Sequence, residues 1–141
     1  MVACVSQRPS CALHLKQRNN MSDYKIEYAE FLQQYESGVT TGENVGELIA
    51  KLAQYFSMAN SEYAAALRNF NKIARVIEEG SDEQTGKPIS SSKAKVIAAA
   101  TPESDSLTIA KTDLDNIEQM INALKSLQKG ILNEYSHTGG M

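Results

Sequence analysis

Two long runs of apolar residues at alternating spacings of four and three constrain this chain more than any other feature. The first comprises Val45, Ile49, Leu52, Phe56, Ala59, Tyr63, Ala66, Phe70, Ile73 and Ile77. No proline interrupts the segment from Thr40 to Glu79. The second comprises Leu107, Ala110, Leu114, Ile117, Ile121, Leu124, Gln128, Ile131 and Tyr135, with one polar member at Gln128. A 3-4 alternation returns each residue to the same side of a helix every two turns, so each run is a heptad seam. At 1.5 Å per residue the two seams span roughly 48 and 42 Å. Lengths so nearly matched, joined by a connector, predict two helices that pair along their seams.

The connector, Gly80 to Thr101, is rich in Gly, Ser, Asp and Pro around Gly80–Pro88 and lets the chain reverse. The expected fold is all-α: an antiparallel long helical hairpin, coiled-coil-like, with a short additional N-terminal helix. The predicted helices cover about 23–36, 43–79, 93–100 and 102–135. Ser22 suits a cap for the first, and Gly38 ends it. Thr40 and Glu43 have the spacing of a capping box for the second. Thr101-Pro102-Glu103 suits the start of the last, with proline at the first helical position and an acid near the positive end of the dipole.

A two-helix hairpin has a thin core. Leu48, Tyr55, Leu67, Met120 and Leu127 are apolar yet lie off the main seams, and Tyr24, Tyr28, Phe31 and Tyr35 share one face of the first helix. Tyrosine serves well at interfaces that are part apolar and part wet. Tyr24, Tyr28, Phe31, Tyr35, Leu48, Tyr55, Met120 and Leu127 are therefore the candidate protein-interface residues. A homo-oligomer and an unidentified protein partner are expected.

Residues 1–20 differ in composition from the rest of the chain. They contain Arg8, Lys16 and Arg18 and no acid, so they carry +3, leaving −6 for the remainder of a chain whose net charge is −3. Residues 1–21 read as a disordered leader, Met21-Ser22-Asp23 as a natural start, and residues 22–141 as a single helical domain. Both cysteines, Cys4 and Cys11, fall in the leader, so no disulfide framework is expected. No stretch approaches the ~20 apolar residues of a membrane span. No partnership with a membrane is expected, and the expected location is the cytoplasm.

The inventory of reactive groups is short. His14 and His137 are the only histidines, and neither has a helical partner at the spacing of a metal pair. Asp113, Asp115 and Glu118, and a second group at Glu78, Glu79, Asp82 and Glu83, read as solvated acids. None of the HExxH, GxSxG, Walker or GxGxxG patterns occurs. The reading assigns no catalytic residue, no metal and no cofactor, and takes the protein as non-enzymatic.

Arg68, Lys72 and Arg75 recur at four and three residues and form one basic stripe on the second helix, with Lys87, Lys93 and Lys95 beyond the turn. These six are the candidate nucleic-acid contacts, a phosphate track for single-stranded DNA. The acidic balance of the main body opposes non-specific binding of that kind.

The run Ser90-Ser91-Ser92-Lys93-Ala94-Lys95, the alanines after it, Thr101-Pro102-Glu103-Ser104 and a long helix containing Met120-Ile121-Asn122-Ala123-Leu124-Lys125 resemble small helical proteins of tailed phages. Over residues 40–135 the layout is similar to phage recombination mediators of the UvsY type. That resemblance implies a helical oligomer that loads a recombinase onto single-stranded DNA. The leading expectation is a phage-derived assembly or adaptor protein that self-associates and binds a partner, in the host cytoplasm. The alternative is a recombination mediator that binds single-stranded DNA.

Overall fold

The structure is a computed structural model that describes the backbone of residues 9–138 and the side chains of residues 23–134. The chain is all-α. Among the described residues four helices follow in order: α1, Pro9–Glu36; α2, Gly42–Glu78; α3, Ser91–Ala99; and α4, Pro102–Thr138. The long helices α2 and α4 pack against each other as an antiparallel hairpin. Among the described residues the β-pairing amounts to an isolated antiparallel bridge between Ser81 and Pro88.

The helix ends obey local chemistry. Gly38, at φ +80°, closes α1. Its N–H donates to the Tyr35 carbonyl at 3.1 Å and that of Val39 to the Gln34 carbonyl at 3.3 Å, the paired bonds of a Schellman motif. The Thr41 hydroxyl caps α2, accepting from the Asn44 N–H at 3.3 Å. The expected box at Thr40 and Glu43 is thus displaced by one residue, and the Thr40 hydroxyl is buried without a partner. Ser90 caps α3 through the Lys93 N–H at 3.3 Å. Thr101 serves two helices at once. Its hydroxyl donates to the Ala98 carbonyl at the end of α3, at 2.7 Å, and accepts from the Ser104 N–H at the start of α4, at 3.3 Å.

Helix α1 starts at Pro9, well before the expected residue 23. The shift in composition there is a shift in charge, and it does not lower helix propensity. Pro9 suits the first helical position, and Ala12, Leu13, Leu15, Lys16, Gln17 and Arg18 all favour helix. Cys11 therefore falls within α1. Residues 1–8, with Cys4, lie outside the described residues.

The chain divides into two compact units. The first holds α1, α2 up to Phe56 and α4 from Ile117. Here three helices meet, and Tyr24, Val45, Leu52 and Ile117 are fully buried. Phe31, Leu48 and Leu124 are nearly so. A β-carbon on Gly42 would stand 3.9 Å from Ile131 Cγ2, and one on Gly46 would stand 3.3 Å from Gln128 Nε2, so the start of α2 lies along the end of α4.

The second unit, Ser57–Asn116, holds the rest of α2, the turn, α3 and the start of α4. Its buried side chains are all alanines: Ala59, Ala94, Ala98 and Ala110. The seam residues Tyr63, Phe70, Ile73, Ile77, Leu107 and Leu114 are each half-buried. None of the seam positions whose side chains are described is exposed in either unit. Tyr135 lies outside the described side chains.

Candidate functional site

In the first unit, the candidate interface residues are largely used within the chain. Tyr24, Phe31 and Leu48 are buried between α1 and α2, so they are not available as a free docking face. The Tyr24 and Tyr55 rings lie 6.2 Å apart at 57°, a tilted aromatic pair. The Tyr55 hydroxyl donates to Glu27 Oε1 at 3.4 Å. Tyr28, Met120 and Leu127 are half-buried, as is Tyr55. Of the eight, only Tyr35 is exposed, and its ring stacks on Phe31 at 6.4 Å.

Beside this contact lies an open cleft of about 220 Å³, lined by Glu27, Glu30, Phe31, Gln34, Asn44, Glu47, Leu48 and Lys51. Its titratable lining is Glu27, Glu30, Glu47 and Lys51. Burial, and then the charges of Glu27 and Asp23, raise the Tyr55 hydroxyl above its ordinary pKa of 10.0. That direction holds the phenol protonated, the opposite of what a phenolate nucleophile requires. Among the described residues, no group of three or more His, Cys, Asp and Glu is placed to hold a metal ion. The side chains of His14 and His137 lie outside the described residues.

The six basic candidates all fall in the second unit, and they separate. Arg68, Lys72 and Arg75 are exposed along one side of α2, and none has an ion-pair partner among the described residues. Lys87 and Lys95 are exposed as well. Lys93 differs. Its ammonium lies 2.8 Å from Asp82 Oδ1, and this pair ties α3 to the preceding turn. Asp82 organises that turn. Its Oδ1 also accepts from the Gln84 N–H at 2.9 Å, its own N–H donates to the Lys87 carbonyl at 2.7 Å, and its carbonyl accepts from the Gly86 N–H at 2.7 Å. Gly86, at φ +68°, supplies the left-handed residue that the turn requires. The Lys93 bond and the Gln84 N–H hold the Asp82 carboxyl below its ordinary pKa. Lys93 is thus a structural residue of the connector, a role that its spacing in the sequence does not reveal.

The sequence reading missed the exposed apolar residues of the second unit. Val76 on α2, Val96 on α3 and Ile109 on α4 are 67%, 71% and 63% exposed. All three fall outside the seams, and that is the signal that marks them. No helix among the described residues is long and apolar enough to cross a membrane. No protein-family profile, curated protein or solved structure matches the chain.

Proposed function

We propose that this chain is a non-enzymatic assembly or adaptor protein, phage-derived and cytoplasmic, that acts by holding other protein chains through its helical surface. One observation carries the reading. Between Ser57 and Asn116 every apolar side chain larger than alanine retains solvent exposure, whereas the other unit buries Tyr24, Leu52, Ile117 and Leu124. An apolar stripe broader than one partner helix can cover is the usual mark of a helix with a second neighbour. Cross-linking through lysine in the native cell, read by mass spectrometry, tests this. Cross-links from Lys72, Lys95 or Lys111 to other polypeptides are expected. A chain recovered at monomer mass alone, with no larger cross-linked species, contradicts the proposal.

A second reading rests on the three exposed cations Arg68, Lys72 and Arg75. On it, the protein is a phage recombination mediator whose basic stripe tracks the phosphates of single-stranded DNA while a recombinase is loaded. Gel-shift titration at several salt concentrations separates the two. Tight binding with a steep salt slope supports the mediator, and Arg68→Glu with Lys72→Glu then abolishes it. No binding at low salt removes it.

A further inference from the structure

Resting on the assembly reading, we infer that the chain held by the second unit is another copy of this protein, with α2 of each copy lying against α4 of the other. Two observations point to a copy rather than to an unrelated partner. The first is complementary charge within a single chain. From Tyr63 to Ile77, α2 carries Arg68, Lys72 and Arg75 and no acid; from Pro102 to Asn116, α4 carries four carboxylates and a single lysine. A two-fold axis brings the basic helix of each copy to the acidic helix of the other, so the same match is made twice. The second is where the exposed apolar residues stand. Val76 comes four residues after Lys72 on α2, and Ile109 comes four after Asp105 on α4. Each pair shares a helix side, since residues four apart are neighbours on the helix surface. Val76 and Ile109 are 67% and 63% exposed, and Lys72 and Asp105 are exposed beside them. An apolar contact between Val76 of one copy and Ile109 of the other sets Lys72 near Asp105. The two helices then run parallel, so the two-fold axis lies perpendicular to them, and the second copy covers the turn end of the second unit, around Phe70, Ile73 and Leu107.

Sedimentation equilibrium over a wide concentration range, on the full chain, tests this. A reversible dimer is expected. The reversals Arg68→Glu with Lys72→Glu, and separately Asp105→Lys with Asp115→Lys, each weaken it at least about tenfold by opposing like charges. Mixing the two variants restores a 1:1 dimer, because the exchanged charges match again. Val76→Ser with Ile109→Ser weakens it without altering charge. Each variant changes exposed residues, and an unchanged far-UV circular dichroism spectrum shows that the helices persist. A wild-type chain that stays monomeric throughout overturns the inference, as does a mixture of reversal variants that fails to associate. A monomeric chain that still cross-links to other polypeptides in the cell overturns this inference and leaves the assembly reading in place.

Discussion

The side-chain amide of Gln128 lies over Gly46 so closely that a β-carbon on the glycine would stand 3.3 Å from Nε2. The polar member of the α4 seam therefore meets a residue of α2 that has no side chain to exclude it. The heptad pattern marks Gln128 as an irregularity; its position opposite a glycine gives the irregularity a physical setting.

Gly46→Ala tests how tight that setting is. Alanine is better than glycine in a helix interior by about 1 kcal/mol. The approaching atom is the far end of a flexible, half-buried side chain, which can move by a few tenths of an ångström. Urea denaturation should show the variant more stable by about 0.5 kcal/mol. A loss of stability would mean that the Gln128 amide is held fixed.

The two units should respond differently to truncation. Leu52 is fully buried, and Leu52→Ala should cost about 3 kcal/mol, from lost apolar burial and the cavity left behind. Ile73 is half-buried, and Ile73→Ala should cost about 1 kcal/mol under conditions where the chain is monomeric. Equal costs would mean that the second unit is as well packed as the first.

Much of this architecture is legible in the sequence because helix pairing depends on a periodic apolar pattern, which a sequence records directly. The 3-4 alternation identified the seam residues, and every one whose side chain is described is turned from solvent. The start at Pro102 is set by the Thr-Pro pair, since proline tolerates only the first turn of a helix. Other features depend on contacts distant in sequence. Nothing local separates Lys93, bound to Asp82, from the free Lys95 two residues on. Tyr24 and Phe31 read equally well as an outer face or as an inner one, and the return of α1 onto α2 decides it. The cap at Thr41 in place of Thr40 reflects two adjacent threonines of equal capping ability.

Tyr55 supplies an alkaline signature. Its hydroxyl has a raised pKa in the folded chain, so the folded state keeps the proton to higher pH than the unfolded state does. That contribution to stability is complete below the ordinary value of 10.0 and is lost as pH rises through the folded value. Ultraviolet titration should show a late-ionising tyrosine component that Tyr55→Phe diminishes. A late component of unchanged size in Tyr55→Phe contradicts the assignment.

Asp82 supplies the acidic counterpart, with the opposite sign. Its folded pKa lies below the ordinary value, so the turn is most stable above that value and loosens as pH falls through the folded one. Asp82→Ala removes the side-chain acceptor for both Lys93 and the Gln84 N–H. Hydrogen exchange in residues 81–90 should rise in the variant, while the exchange of Leu52 and Ile117 stays unchanged. Equal acceleration at both places would mean that the turn and the packed helices open together.

The most direct measurement of the central claim is hydrogen exchange of the wild-type chain as a function of protein concentration. If a second copy completes the thin unit, amides around Phe70, Ile73 and Leu107 gain protection as concentration rises, while those of Leu52 and Ile117 keep theirs unchanged. Protection that is the same at every concentration in both units would contradict it.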